Sequence, residues 1–446
     1  MKYIRNAYLI FFGLILGLWS CIEEIGIDTE LKAQIDVDQV LVVEATLTNE
    51  LKPQLVTLSR AVSFLNDSII SFDETEPALS LVPREEVNEK PVLYERGADV
   101  RVRDGQGTEI RFIEGEPGRY LSETAFAAES GREYQLLITT ARGEVLQSQP
   151  EFYSGESALN NIYAERGRNE FDEEGIFIYI DGTDLQGQSE YFRYNYEETY
   201  KIIAPLWTAV EFKLTNYDPC ALPVITYDLD VVPREQEERV CYNTRASENV
   251  ILNSTENLDG NSVERFPVRF ISRDDFIITH RYSILVRQFV QDVDAYSFYQ
   301  QLDEFAKSES VFAQVQPGLL ESNISFEDGR MTPVLGYFSV ASVSESRLFF
   351  DFEDFFDGEP KPAYIVNCNL QSSPEAHVSF CSPGLTGRSC PPSVVERVDI
   401  DVISYIDQNN GGFEAVCPGP YIFVDRICGD CTILGSNVVP DFWIED

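Results

Sequence analysis

The sequence predicts an all-β protein: an N-terminal immunoglobulin-like β-sandwich followed by a larger β-rich, disulfide-stapled domain with one short helix. Three observations carry that expectation. Short runs of alternating apolar residues succeed one another from residue 40 to 148, with turn residues roughly every 8 to 12 positions. No stretch alternates strand with helix as a βαβ protein would. Eight cysteines crowd into the segments with the weakest periodicity.

The runs come in order. Val40-Leu41-Val42-Val43-Glu44-Ala45-Thr46-Leu47 is β-branched and stops at Thr48-Asn49-Glu50, and Gln54-Leu55-Val56-Thr57-Leu58-Ser59 alternates with period two. After a polar segment at 73–91 come Ala98-Asp99-Val100-Arg101-Val102-Arg103, the turn Asp104-Gly105-Gln106-Gly107, and Glu109-Ile110-Arg111-Phe112-Ile113. Pro117-Gly118 then turns the chain into Arg119-Tyr120-Leu121, and Glu133-Tyr134-Gln135-Leu136-Leu137-Ile138-Thr139 and Glu144-Val145-Leu146-Gln147-Ser148 complete the unit. The sandwich is expected over 37–150 and the second domain over 151–446.

In that domain, Ile176-Phe177-Ile178-Tyr179-Ile180 is expected to break at Asp181-Gly182-Thr183-Asp184. Tyr191-Phe192-Arg193-Tyr194-Asn195-Tyr196, Phe276-Ile277-Ile278-Thr279, Ser283-Ile284-Leu285-Val286-Arg287-Gln288-Phe289 and Gly336-Tyr337-Phe338-Ser339-Val340 read as strands. Asp292 is placed to cap a helix carrying Val293, Tyr296, Tyr299, Leu302 and Ala306 on one face, widened by Phe298 and Phe305. Segments 201–260 and 350–435 read as irregular.

The N-terminus reads as a leader and an anchor. Lys2 and Arg5 precede a nearly uncharged run from Ala7 to Leu18, short for a bilayer span. Leu18-Trp19-Ser20-Cys21 then stands where a bacterial lipoprotein signal places its lipobox. The expectation is a signal peptide at 1–20, lipidated Cys21, and a tether over 21–36. Several acyl chains, at ~0.8 kcal/mol per buried methylene, anchor essentially permanently. Glu23-Glu24 directly after the cysteine is similar to the surface-export signal of Bacteroidota lipoproteins, which places the protein on the extracellular face of the outer membrane.

Without residues 1–20 the chain keeps 32 basic residues (34 less Lys2 and Arg5) against 75 acidic ones, a net charge of −43. Such a chain repels phosphates, which argues against nucleic-acid partners and polybasic membrane docking. Aromatic residues at 12% give material for sizeable cores.

With Cys21 lipidated, Cys220, Cys241, Cys368, Cys381, Cys390, Cys417, Cys428 and Cys431 remain, enough for four disulfides in an exported protein. A zinc knuckle using Cys417, Cys428 and Cys431, or redox use of Cys428-Gly429-Asp430-Cys431, are the rival readings. Cys220 and Cys241 are expected to pair, being alone in their region; the six later cysteines allow ~15 pairings.

No nucleophile elbow, HExxH or phosphate loop is present in the sequence, and a triad would have to use His280 or His377. Carboxylates are too abundant for any glycosidase-like pair to be singled out. No cofactor is expected, although the acidic runs Asp181-Gly182-Thr183-Asp184 and Asp351-Phe352-Glu353-Asp354-Phe355-Phe356-Asp357-Gly358-Glu359 offer oxygen ligands of the kind Ca²⁺ takes. Phe352, Phe355 and Phe356, interleaved with those acids, are the expected partner-docking residues, ahead of Trp207, Phe349, Phe350, Phe442 and Trp443. Asp67-Ser68-Ile69 resembles a Bacteroidota O-glycosylation acceptor at Ser68.

A set of ordered motifs carries a resemblance across nearly the whole mature chain. They are Leu41-Val42-Val43-Glu44, Val56-Thr57-Leu58-Ser59-Arg60, Tyr191-Phe192-Arg193-Tyr194-Asn195-Tyr196-Glu197-Glu198-Thr199-Tyr200, Cys241-Tyr242, Val286-Arg287-Gln288, Val334-Leu335-Gly336-Tyr337-Phe338, Cys428-Gly429-Asp430-Cys431 and Pro440-Asp441-Phe442-Trp443. With them the sequence resembles a Bacteroidota outer-membrane lipoprotein family of unknown function, often encoded beside TonB-dependent receptors. The resemblance bears on location and supplies no established activity; the expected function is that of a non-enzymatic accessory, a lid or ligand-capture subunit docked on an outer-membrane β-barrel. A subunit of a secretion or assembly complex and a carboxylate-based surface hydrolase are the alternatives.

Overall fold

The computed structural model describes residues 40–61, 92–153, 155–185, 189–256, 262–307, 320, 322–330, 332–376, 392–415 and 418–445. The first unit contributes β1 (Leu41–Thr48), β2 (Leu55–Arg60), β3 (Leu93–Tyr94), β4 (Asp99–Asp104), β5 (Glu109–Glu114), β6 (Arg119–Ser122), β7 (Tyr134–Thr139) and β8 (Val145–Ser148). Strands β1-β2-β6-β5 lie side by side, as do β4-β7-β8, and the β4–β5 hairpin joins the two sets. That is the strand order of a seven-stranded immunoglobulin sandwich. Alternation does the sorting: Val100 and Val102 of β4 enter the core while Arg101 and Arg103 face water. In the β4–β5 turn, the Asp104 carboxylate accepts from the backbone N–H of Gln106 (2.9 Å) and Thr108 (2.8 Å).

The remaining strands are β9 (Ser157–Arg168), β10 (Glu174–Asp184), β11 (Tyr191–Ile203), β12 (Val210–Asp218), β13 (Thr226–Pro233), β14 (Val240–Ala246), β15 (Ile251–Ser254), β16 (Ser262–Ser272), β17 (Tyr282–Gln291), β18 (Ile324–Phe326), β19 (Val334–Ala341), β20 (Val343–Phe350), β21 (Ile403–Gln408) and β22 (Tyr421–Asp425). The α-helices are α1 (Val293–Lys307), α2 (Glu353–Phe356), α3 (Val394–Asp399) and α4 (Arg426–Gly429). The all-β expectation holds, and α1 is the one helix of more than two turns among the described residues.

The sandwich does not end at residue 150. β19 runs parallel to β1, from Leu41↔Val334 to Thr48↔Ala341, and β18 pairs with β8. Ile324, Phe326, Val334, Phe338 and Val340 belong to the same apolar core as Val43 and Leu136. Asn323 links the two added strands. Its side-chain amide donates to the Phe338 carbonyl (2.7 Å) and accepts from the Phe338 N–H (2.9 Å), a side chain standing in for a ladder. Gly336 (φ 118°) faces Val43 in the parallel register, where a Cβ would overlap the Val43 carbonyl.

The second unit packs the β16-β10-β9 sheet against β14-β11-β17-β20, with β15 beside β11. Ile176, Ile178, Phe192, Tyr194, Ile284 and Val286 fill the shared core. Several sequence expectations are corrected here. The described part of segment 201–260, residues 201–256, holds the end of β11 and β12 to β15 and is not irregular. Phe276–Ile278 is a 3-10 turn, because the Asp275 side chain caps it by accepting from the Ile277 N–H. Asp181 to Asp184 continue β10 through a register shift at Asp181/Gly182, where a break was expected. Asp292 does cap α1, accepting from the Ala295 N–H at 2.7 Å. The face that α1 buries is Ala295 and Phe298, with Tyr299 and Leu302 beside them, while Val293 is exposed.

After β20 the chain becomes short pieces. The β12–β13 and β21–β22 hairpins and α3 share a small core around Val394, Ile403 and Phe423.

Candidate functional site

Only one residue, Ser342, separates β19 in the sandwich from β20 in the second unit. The outward faces of the two units therefore meet at a seam, and a cleft of about 620 Å³ opens there. One wall is the outer face of the sandwich: Val42, Glu44 and Thr46 of β1, and Leu55 and Thr57 of β2. Alternation puts them there, since Val43, Ala45, Val56 and Leu58 point the other way into the core. The opposite wall is the outer face of β11 and β17, where Arg193 lies across from Phe289, and Asn195 across from Arg287. Phe298, Tyr299 and Leu302 of α1 close one side.

Charge in the cleft is unevenly compensated. Arg287 bonds Glu50 and lies 3.2 Å from Glu345, and Lys52 lies 2.6 Å from Glu50. Those contacts hold the Glu50 carboxyl below its ordinary range although burial pushes it up. Arg193 makes no ion pair among the described residues. Its guanidinium packs against the rings of Phe289 (4.6 Å) and Tyr299 (4.4 Å). Its polar contacts are long: 3.4 Å to Asn195 Oδ1 and 3.5 Å to Thr46 Oγ1. The buried Nε has no hydrogen-bond partner.

A second, polar cleft of about 460 Å³ lies between β12, β21 and α4. Arg234 bonds Glu238, and Arg426 bonds Asp401 and lies 2.8 Å from Asp430. Burial and the neighbouring Asp430 push the Glu238 carboxyl up. Asp430, between Cys428 and Cys431, also accepts from Thr432 N (2.8 Å) and Oγ1 (2.6 Å). Both carboxylates are thus held by an arginine.

The docking expectation is overturned for Phe352 and Phe356, while Phe355 is partly buried against the same core. Phe352 and Phe356 are 0% and 1% exposed and stack at 4.9 Å, and Phe355 packs on Phe350 at 5.3 Å. They stand at positions i and i+4 around α2, which turns both rings inward beneath Arg166 and Arg273. Trp443 is buried against Tyr242 (4.9 Å) and Phe349 (5.8 Å). The expected Cys220–Cys241 pair is also overturned: Cys241 is bonded to Cys431, and Cys368 to Cys428. Cys220 is itself disulfide-bonded. The Cys428–Cys431 spacing is therefore neither a redox dithiol nor a zinc site, since each sulfur crosslinks a different partner.

Carboxylates of the longer acidic run pair with cations of the chain, and those of the shorter run accept backbone N–H groups. Asp351 pairs with Arg281 (2.6 Å), Glu353 with Lys361 (2.7 Å), and Glu359 with Arg166 (2.8 Å) and Arg273 (3.2 Å). Asp181 accepts from the Arg265 N–H and Asp184 from the Ser189 N–H. Among the described residues no group of three or more His, Cys, Asp or Glu is placed to hold a metal ion. His280 lies just before β17, its imidazole lowered to about 4 by burial and by Lys361 and Lys201. Cys21, Glu23, Glu24, Ser68, His377, Cys381, Cys390 and Cys417 lie outside the described residues.

Sequence reasoning did not single out Arg193 as a site residue. Period two in Phe192-Arg193-Tyr194-Asn195 shows that Arg193 and Asn195 share a face, but not that the face meets a sandwich 147 residues away in sequence.

A family model described as a domain of unknown function (DUF4249) matches residues 23–347, most of the chain, including every residue lining the seam cleft. The match stops before α2 and the later cysteines. No curated protein matches the chain.

Proposed function

The chain belongs to the DUF4249 family, and from that premise we propose that it is a lipid-anchored lipoprotein of the outer bacterial surface, serving a TonB-dependent receptor as a non-enzymatic ligand-capture subunit. The seam cleft carries this reading. It is concave, walled mainly by apolar and aromatic side chains, has one uncompensated cation, and falls in the ~300–1,000 Å³ range of small-ligand sites. Two rigid sheets form its walls, so a ligand would be held without ordering a loop. The leader, Cys21 and Glu23-Glu24 support the location, since they offer an anchor and an export signal.

The test is purification of a tagged full chain in mild detergent from its own cell envelope, with mass spectrometry of what co-elutes. Stoichiometric recovery of a TonB-dependent receptor is the expected result. Recovery of secretion or assembly machinery would replace the receptor in this reading. Cys21→Ala should release the protein from membranes or leave an uncleaved precursor. Glu23→Ala with Glu24→Ala should keep the lipid and lose cleavage by external protease.

The hydrolase alternative draws on two raised carboxyls: Glu151 near Asp292, which lines neither cleft, and Glu238, which with Asp430 lines the polar cleft. A glycosidase needs one carboxyl free to donate its proton, and the arginines beside Glu238 and Asp430 weaken that role.

A further inference from the structure

Three features of the seam cleft define its occupant more narrowly than the ligand-capture reading on which this step rests. The first is charge. Glu50 and Glu345 compensate Lys52 and Arg287; Glu44 also lines the cleft but makes no ion pair with Arg193, whose guanidinium therefore has no carboxylate in contact among the described residues. In a chain of net charge −41, a cation in a cleft without a carboxylate beside it is a place kept for an anion from outside.

The second is donor geometry. A guanidinium carries five N–H donors in a planar fork suited to a carboxylate. Phe289 and Tyr299 pack against it and fix its position. Its two long contacts, to Asn195 and Thr46, do not exhaust those donors.

The third is backbone. β1 is paired on both sides, by β2 and β19, and β11 is flanked by β17 on one side and by β14 and β15 on the other. The walls offer no ladder to a peptide, whose own N–H and C=O groups would be stranded between apolar side chains. The walls instead favour a ligand with one polar end and an apolar remainder.

We infer that the seam cleft binds a monocarboxylate with an apolar body: Arg193 N–H groups take the carboxylate, and Phe289, Tyr299, Leu302 and Leu335 enclose the rest. Arg193 is the residue that selects the anion.

The experiment is calorimetric titration of chain 22–446, which is lipid-free and keeps every described residue, with 4-phenylbutyrate and with its neutral amide, 4-phenylbutyramide. The carboxylate is expected to bind at least about tenfold tighter than the amide, the scale of one charge-assisted contact. Arg193→Gln should bring the carboxylate down to the level of the amide, and Arg193→Lys, which keeps the charge but not the fork, should fall between. Thr57→Trp on the facing wall fills the cleft without touching Arg193 and should abolish binding of both probes, with an unchanged circular dichroism spectrum. This variant decides the matter should Arg193→Gln fail to fold. Binding of neither probe by the natural chain, carboxylate preference surviving in Arg193→Gln, or binding surviving in Thr57→Trp would each overturn the inference. Equal binding of acid and amide would overturn it too, while leaving ligand capture standing. Carboxylate binding without co-purification of any receptor would instead remove the accessory role and keep this site.

Discussion

In the sandwich, each strand from β1 to β8 lies hydrogen-bonded beside another, and the chain from residue 40 to 153 contains no cysteine. A buried charge cluster there, Arg60 with Glu95 (2.6 Å) and Glu144 (2.6 Å), is internally compensated. Among the described residues after β20 the regular ladder shrinks to the five register pairs of β21–β22, and the apolar clusters are small. There Cys428 and Cys431, three residues apart, send crosslinks to Cys368 and to Cys241 in β14. The difference teaches where each kind of stabilisation is needed. Cooperative backbone pairing around one core holds without crosslinks, whereas segments with little pairing depend on restricting the unfolded chain.

The strongest way to break that contrast is to remove the longer crosslink. Cys241 and Cys431 are 190 residues apart, so closing their loop is worth on the order of 5 kcal/mol in the chain-entropy account. The double change Cys241→Ser with Cys431→Ser should therefore destabilise the second unit severely. Hydrogen exchange by mass spectrometry should show β11, β14 and β17 losing protection while β4 and β7 keep theirs. Equal loss in both regions would mean that the sandwich depends on the crosslinks as well.

Next in size is Phe356→Ala, expected to cost about 3–5 kcal/mol, as for other phenylalanines removed from a core. Denaturant titration measures it, and a cost under about 1 kcal/mol would return Phe356 to the surface.

The same contrast explains what was legible beforehand. Strands β1, β2 and β4 to β8 could be read because each pairs within hairpin-scale distance and buries every second residue. β18 and β19 escaped assignment to the sandwich because their partners lie far back in the chain, Val334 opposite Leu41, and only a register ties them. The disulfide partners escaped for the same reason: proximity in sequence favoured Cys220–Cys241, and proximity in space is set by the fold of the 190 residues between Cys241 and Cys431. At the cleft, alternation fixed which faces were outward, but not that the outward faces of β1 and β11 oppose each other.

The seam between the regions should respond to pH. Burial pushes the Glu151 carboxyl up to about 7, against the Asn323 amide and Tyr337 hydroxyl that bond it, and Asp292 at the α1 cap adds to the rise. An unfolded glutamate ionises near ~4.3. Between about 4.5 and 7 the folded chain holds the extra proton, so stability should fall as pH rises through that window and level off above it. The site is partly solvated, which limits the drop to roughly 1–2 kcal/mol. Glu151→Gln, able to donate to Asp292 without a charge, should flatten the profile and leave the protein more stable at pH 8. An unchanged slope in thermal melts from pH 5 to 8 would assign it to another group.

The smallest effect comes from the other face of α2. Glu353 shares the helix with Phe356 but points to water, where it meets Lys361 at 2.7 Å with both side chains at least two-fifths exposed. Lysine holds its carboxyl below the ordinary range, yet an exposed pair of this kind contributes little, because water and salt screen it. Glu353→Gln should shift stability by less than about 0.5 kcal/mol, roughly a tenth of the cost at Phe356. It should also take away the carboxylate that partly offsets Lys361 and Lys201 at His280, moving that imidazole below about 4. A proton NMR titration of His280 reads the second effect independently of the first. If Glu353→Gln instead destabilises as much as Phe356→Ala, then α2 is held by its acids, and the division into an inward aromatic face and an outward acidic one is wrong.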